Sequence, residues 1–135
     1  MKKHFKHKSL DLNKKTKIVF IAMSKNSFYF RRHAVKFVLK KGLTPISQFG
    51  IFDYFLNDAV SRNLVRQANN NLIGVSDELW VFGPLSDGVI AEVKMFKKTK
   101  KPIRYFRIVS GKAIKAINKK EVEFEKGLAK FSKEI

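Results

Sequence analysis

The sequence of 135 residues contains no cysteine, only three histidines, and only 11 Asp and Glu against 29 Lys and Arg. Without cysteine there can be no disulfide framework and no thiolate metal site. The histidines at positions 4, 7 and 33 do not cluster, so no metal and no cofactor is predicted. No apolar run approaches the roughly 20 residues of a membrane-spanning helix, and the basic N-terminus has no apolar centre typical of a secretion signal. We therefore expect a cytoplasmic protein without a membrane segment.

The basic residues are unevenly distributed along a chain of formal net charge +18. Seven lysines fall within the first 17 residues and 14 Lys and Arg from Lys94 onward, whereas no lysine lies between Lys41 and Lys94. Phosphate contacts come from Lys and Arg, so the lysine-rich ends predict non-specific, electrostatic binding of nucleic acid. A solvated basic surface with no polyanion partner is the alternative.

Short apolar runs alternate with amphipathic segments, and 44% of the residues are hydrophobic, which is enough for a real core. Runs at 17–23, 43–49, 78–83 and 102–109 predict strands, and the segments between them predict helices. This alternation predicts a three-layer α/β sandwich, Rossmann- or flavodoxin-like, with a mostly parallel sheet of four to five strands and the first strand central. Residues 1–16 are predicted to be a basic tail, and residues 17–135 a single domain.

Several helix boundaries are also predicted. Asn26 and Ser27 are N-cap candidates for the first helix, and Asp53 for a helical stretch with Leu56, Val60 and Leu64 on one side. Three consecutive asparagines at 69–71 and Gly74 are predicted to interrupt that helix. Beyond Ser110, apolar residues at helical spacing predict a terminal helix: Phe124, Leu128 and Phe131.

Polar residues and glycines follow the predicted strands in "AMSKNS", "SQFG" and "FGPLSDG". The carboxyl ends of parallel strands meet at one edge of a sheet, so a single ligand crevice is expected there. Ser86 or Asp87 can cap the following helix, Gly88 lies in its first turn, and Glu92 lies four residues on. Helical side chains lean toward the N-terminus, which directs Glu92 over Gly88. Two interpretations fit this spacing. Either the Glu92 carboxylate lies beside a slot that binds an anion or hydroxyl groups, or Glu92 is a surface glutamate favourably placed near a helix N-terminus.

The segment from Lys17 to Arg107 resembles the nucleoside 2-deoxyribosyltransferase-like superfamily. The resemblance rests on the motif Ser86-x-Gly88-x-x-x-Glu92 after a strand, followed by Lys101-Pro102 before the next strand. The Ser-x-Gly form is closest to relatives that cleave the N-glycosidic bond of nucleoside 5′-monophosphates. The resemblance implies a nucleoside or nucleotide ligand and a homodimer or larger assembly, since relatives complete their sites from a neighbouring subunit.

By this resemblance Glu92 is the nucleophile that attacks the sugar C1′. Asn69 stands where the family has a second catalytic carboxylate, and an amide cannot protonate a leaving base. Asp77 lies at the wrong end of its strand to replace that carboxylate and is expected to be structural. The predicted substrate-binding residues are Ser24, Asn26, Gly83, Ser86, Asp87 and Gly88.

Three functions remain open on this basis. The first is a nucleoside- or nucleotide-binding N-glycosidase or deoxyribosyltransferase. The second is a non-catalytic module that binds a nucleotide or nucleic acid on the same fold. The third, a phosphoribohydrolase of the lysine-decarboxylase-annotated type, requires a Pro-Gly-Gly-x-Gly-Thr loop that "GPLSDG" matches poorly.

Overall fold

The computed structural model describes residues 4–52, 59–110 and 113–135. The five strands in these ranges, numbered in chain order, form one sheet in the order β2-β1-β3-β4-β5. The strands are β1 Ile18–Ala22, β2 Thr44–Ser47, β3 Glu78–Phe82, β4 Ile103–Val109 and β5 Ala113–Ile117. β1 to β4 pair in parallel, and β5 is antiparallel to β4. The predicted mostly parallel α/β fold is confirmed, but the central strand is β3, so the prediction that the first strand is central was wrong.

The described ranges contain four α-helices and four 3₁₀ helices. The α-helices are α1 Arg31–Lys40, α2 Gln48–Ile51, α3 Arg62–Gly74 and α4 Asp87–Lys97. The 3₁₀ helices are Lys8–Asp11, Lys25–Phe30, Lys119–Glu121 and Ala129–Glu134. No helix in the described ranges is both long enough and apolar enough to cross a membrane.

Helices cover both faces of the sheet. Successive side chains of a strand point to opposite faces, so neighbouring residues of β1 pack against different helical layers. On one face Val19 and Ile21 of β1 share a core with helix α1. On the other face Phe20 and Ala22 share a core with Ile73 of α3 and with α4. The molecule therefore has the predicted three layers, and α3 and α4 lie on the same side.

Helix α3 runs through residues 69–71, so the predicted interruption there was wrong. Asparagine costs a helix well under 1 kcal/mol per residue relative to alanine, and two of these amides find partners. Asn71 donates to the carbonyl of Gln67 at 2.9 Å, and Asn69 is buried against α4. The helix ends at Gly74. Asp53 and Leu56, predicted to begin this helical stretch, lie outside the described residues.

Of the predicted terminal helix, only the short 3₁₀ helix Ala129–Glu134 is present, and Phe124 and Leu128 lie before it. Residues 113–117 contain four small or apolar residues and Lys115, and they pair with β4 as an edge strand. Gly127 then adopts a φ of +84°, which breaks the helical stripe of Phe124, Leu128 and Phe131. The segment instead returns over the helical layer, and Ile135 is buried in the core beside α4. This return brings C-terminal residues to the carboxyl end of the sheet.

Candidate functional site

A cavity of about 630 Å³ lies at the end of the sheet where β1 and β3 finish. This volume is in the usual range for small-molecule sites. Six of the predicted site residues line it: Ser24, Asn69, Ser86, Asp87, Gly88 and Glu92. The strand ends and the start of α4 thus meet around one space, at the edge of the sheet where parallel folds place ligands.

The start of α4 forms one wall of the cavity. Ser86 is the N-cap, and its hydroxyl accepts a hydrogen bond from Val89 N at 3.3 Å. The Asp87 carboxylate accepts from Gly88 N at 2.7 Å. A Cβ added at Gly88 would approach only Ser86 Oγ, at 4.0 Å, so a side chain there would enter open space. Gly88 therefore keeps this wall of the cavity clear.

Glu92 lies one turn further along α4 and is buried, with 6% of its surface exposed. Its Oε2 accepts a hydrogen bond from Asn69 Nδ2 at 2.8 Å. Two buried acceptors, Glu92 Oε1 and Asn69 Oδ1, have no hydrogen-bond partner among the described residues. Unpaired buried acceptors are costly, and both of these belong to residues that line the cavity.

Burial raises the pKa of Glu92 to about 7, against the opposing effect of the hydrogen bond from Asn69. Removal from water disfavours the charged carboxylate, while a donor favours it. Near neutral pH the side chain therefore exists in both protonation states. A carboxyl group with a shifted pKa in a cavity is typical of catalytic and binding sites, although structural groups show such shifts too.

Two predicted residues have other positions. Gly83 lies outside the cavity and has a φ of +80°. A Cβ there would come within 3.2 Å of Ser27 Oγ, so the turn itself requires glycine. Asn26 also lies outside the cavity lining, but its amide donates to Glu125 Oε2 at 3.0 Å. The N-cap of this segment is Ser24 rather than Asn26 or Ser27, because the chain first forms a 3₁₀ helix.

Asp77 has the structural role that was expected of it. Its carboxylate accepts a hydrogen bond from Ile18 N at 2.7 Å, which ties the start of β1 to the start of β3. This contact lies at the opposite end of the sheet from the cavity.

Sequence reasoning missed four lining residues that carry charge: Lys25, Arg62, Arg66 and Glu125. The arginines are four residues apart on α3, so they lie on one helical face together with Asn69. That spacing was a usable signal, since these are the only basic residues between Lys41 and Lys94. Glu125 carried no local signal, because it reaches the cavity through the return of the C-terminal segment.

Within the described part of the chain, no three His, Cys, Asp or Glu residues could hold a metal ion together.

A second, larger groove of about 830 Å³ lies where β3 and β4 begin. Six basic residues line it: Lys41, Lys97, Lys100, Lys101, Arg104 and Lys119. Among the described residues that line it, the one acidic side chain is Glu78, which is buried and pairs with Arg104 at 3.1 Å. Burial would raise the pKa of Glu78, but hydrogen bonds from Trp80 and Arg104 outweigh it and hold the pKa below its usual range. The groove therefore has a strong positive charge.

Comparison with solved structures finds a similar fold in a protein described as "2-desoxiribosyltransferase from Leishmania mexicana", with a TM-score of 0.53 and 16% sequence identity. The similarity covers 87% of this chain and 97% of that chain. The predicted resemblance is thereby confirmed at the level of the fold. A comparison with curated protein sequences finds no match. A family model described as "Domain of unknown function (DUF7768)" matches residues 20–106, more than half of the chain, and the chain belongs to that family.

Proposed function

We propose that the cavity beside Glu92 binds a nucleoside or nucleotide and that Glu92 attacks the sugar C1′, so that the N-glycosidic bond is cleaved or transferred. One observation carries the proposal: a buried carboxyl group with a pKa of about 7 faces a cavity and keeps one oxygen without a partner. The similarity of the fold to a deoxyribosyltransferase supports the same ligand class.

In the proposed reaction, a Glu92 oxygen forms a bond to C1′ while the bond from C1′ to the base nitrogen breaks. The electron pair leaves with the base, which takes a proton from water. Water, or a second base in the case of transfer, then attacks C1′, and the bond from C1′ to Glu92 breaks, which regenerates the carboxylate. Asn69 cannot supply that proton, since its amide is not an acid near neutral pH. Its contribution is to hold the Glu92 carboxylate in one orientation through the hydrogen bond to Oε2.

The test measures free base released from ribo- and 2′-deoxyribonucleosides and their 5′-monophosphates, together with the binding of each compound. We expect the wild type to release base, and the Glu92→Gln variant to bind comparably but release none. A matched control is Glu123→Gln, because Glu123 is exposed and does not line this cavity. Binding without release in the wild type would favour the non-catalytic module, and absence of binding would contradict the proposal.

A second candidate function is the binding of nucleic acid, and the basic groove is the observation that favours it. Among the described residues that line the groove, Arg104 is the only basic one in an ion pair. Lys97 and Lys101 donate hydrogen bonds to backbone carbonyls, which leaves Lys41, Lys100 and Lys119 available to phosphates. Assembly into a homodimer or larger oligomer and a cytoplasmic location both stay predictions. Light scattering of the purified protein tests the first, and fluorescence microscopy of the tagged protein tests the second.

A further inference from the structure

The C-terminal segment adds a third carboxylate to the cavity, beside Asp87 and Glu92, from beyond the residues that the family model matches. Glu125 lies after β5, and its backbone N–H donates to the carbonyl of Leu85 at 2.9 Å. Leu85 N–H in turn donates to the carbonyl of Glu123 at 2.9 Å. Since Leu85 directly precedes the N-cap Ser86, this pairing fixes Glu125 beside the start of the helix that carries Glu92.

The side chain of Glu125 is held as firmly as its backbone. Its Oε2 accepts hydrogen bonds from Ser24 Oγ at 2.5 Å and from Asn26 Nδ2 at 3.0 Å. Ser24 Oγ also accepts from Asn26 N at 3.1 Å, so the serine hydroxyl is committed to this local network. Two neutral donors therefore fix one carboxylate oxygen, and the orientation of the group is set before any ligand binds.

The other oxygen of Glu125 remains available. Among the described residues, none donates a hydrogen bond to Glu125 Oε1, and none forms an ion pair with the side chain. The side chain is half-buried and lines the cavity. An oriented carboxylate with a free oxygen accepts hydrogen bonds from hydroxyl or amino groups and repels phosphate. Lys25, Arg62 and Arg66 line the same cavity and provide the complementary attraction for an anion.

We propose that Glu125 is a specificity-determining residue whose free carboxylate oxygen accepts a hydrogen bond from the 2′- or 3′-hydroxyl of the substrate's sugar. The inference rests on the proposed function, because attack by Glu92 at C1′ places the sugar ring beside the start of α4. Glu125 is fixed at that same place through Leu85. A sugar hydroxyl is a neutral donor, which suits a carboxylate that lacks a cationic partner.

The expected discrimination follows from the strength of such contacts. A hydrogen bond to a charged group changes affinity by about 10- to 100-fold. A site built to bind a hydroxyl also rejects the analogue that lacks it, because the buried partner is left unpaired. We therefore expect the wild type to bind the sugar with the preferred hydroxyl about 10- to 100-fold more tightly than its deoxy counterpart.

The experiment compares the wild type, Glu125→Gln and the control Glu123→Gln. Dissociation constants are measured by ligand-observed NMR for AMP, GMP, CMP and UMP and for the 2′-deoxy and 3′-deoxy form of each. We expect Glu125→Gln to weaken binding of the preferred form and reduce the discrimination several-fold. The amide oxygen takes the position that accepts from Ser24 and Asn26, so the amide NH₂, which cannot accept a hydrogen bond, faces the ligand. Glu123→Gln should keep the wild-type ratio.

Other outcomes would overturn the inference. If wild type and Glu125→Gln discriminate equally, or if the variant alters only the preference among bases, Glu125 does not contact a sugar hydroxyl. Binding without hydroxyl discrimination in the wild type overturns this inference alone, whereas no binding of any compound overturns the proposed function as well. If Glu125→Gln is unstable by thermal unfolding, Asn26→Ala serves instead, because Asn26 lies outside the cavity lining and holds the same carboxylate. An unchanged ratio in that variant would equally contradict the inference.

Discussion

The Asn69 amide nitrogen donates a hydrogen bond to Glu92 Oε2 at 2.8 Å, which links α3 to α4 at the wall of the cavity. Both side chains are buried, and each keeps one acceptor without a partner in the described structure. An amide suits a carboxyl group that changes protonation state, because its nitrogen donates to the carboxylate and its oxygen can accept from the protonated acid. The raised pKa of Glu92 makes the stability of the folded protein depend on pH through this pair.

The first prediction concerns stability. The pKa of Glu92 is raised from its ordinary value of 4.5 to about 7 in the folded protein. The folded state therefore holds a proton that the unfolded state has lost, and stability from Glu92 falls as pH rises from about 4.5 to about 7. The glutamine of Glu92→Gln does not titrate. The free energy of unfolding of the variant minus that of the wild type should therefore rise by about 3 kcal/mol between pH 4 and pH 8.

Urea unfolding of both proteins at pH 4 and pH 8 measures this difference. The remaining ionisable groups are common to the two proteins and cancel in the comparison. Glu123→Gln should show no comparable change, because Glu123 is exposed and pairs only loosely with Arg107, at 3.6 Å. A stability difference between wild type and Glu92→Gln that is the same at both pH values would contradict the raised pKa.

The second prediction concerns Asn69→Asp. The new carboxyl group would lie within hydrogen-bond distance of Glu92, and two such groups share one proton near neutral pH. One of them can then protonate the leaving base, and general acid catalysis contributes about 10²–10⁴-fold. We expect faster release of base than in the wild type. Asn69→Ala should give no gain in rate. If Asn69→Asp releases base no faster than the wild type at any pH, a carboxyl group at position 69 does not act as a general acid.

Local sequence signals were sufficient for the elements that form the cavity. The apolar runs gave β1, β3 and β4, because buried parallel strands are continuously hydrophobic. The start of α4 was predictable from Ser86 and Gly88, since capping depends on residues that are close in sequence. The four-residue offset between Gly88 and Glu92 then placed both along one helical face.

The remaining features depend on contacts between distant parts of the chain. Glu125 reaches Ser24 across 101 positions, and no local pattern encodes such a contact. Asn69 joins α3 to α4 across 23 positions, and that contact favours helix where three asparagines predict a break. The edge strand β5 was hidden because it is short and lacks an alternation of apolar and polar residues, and because the apolar residues after it repeat at helical spacing.

The third prediction concerns Gly88→Ala. A methyl group there meets no atom of the described structure closer than Ser86 Oγ, so the fold should tolerate it. Alanine also favours a helix over glycine, by up to about 1 kcal/mol. We expect equal or higher thermal stability together with weaker binding of nucleoside monophosphates, because the methyl group occupies part of the cavity. Unchanged affinity would show that the ligand does not contact this wall.

The fourth prediction separates the basic groove from the basic tail. Lys41, Lys100 and Lys119 line the groove and form no hydrogen bond or ion pair through their side-chain nitrogens within the described residues. The variant Lys41→Ala, Lys100→Asn, Lys119→Ala removes three charges. Asparagine is chosen at position 100 because Lys100 has a φ of 61°, which asparagine tolerates. The control variant replaces three exposed lysines of the C-terminal segment with alanine, namely Lys126, Lys130 and Lys133.

Both triple variants lower the net charge equally, so they differ only in where the charge is lost. Each phosphate contact contributes about 0.9 to the slope of log affinity against log salt for duplex DNA. If the groove binds duplex DNA, the groove variant should lower that slope by roughly 2–3, and the control should lower it much less. Fluorescence anisotropy with a labelled duplex at several salt concentrations measures the slopes. Equal slopes in the two variants would mean that the net charge, and not the groove, attracts DNA. If deletion of residues 1–15 alone abolishes binding, the basic tail makes the phosphate contacts.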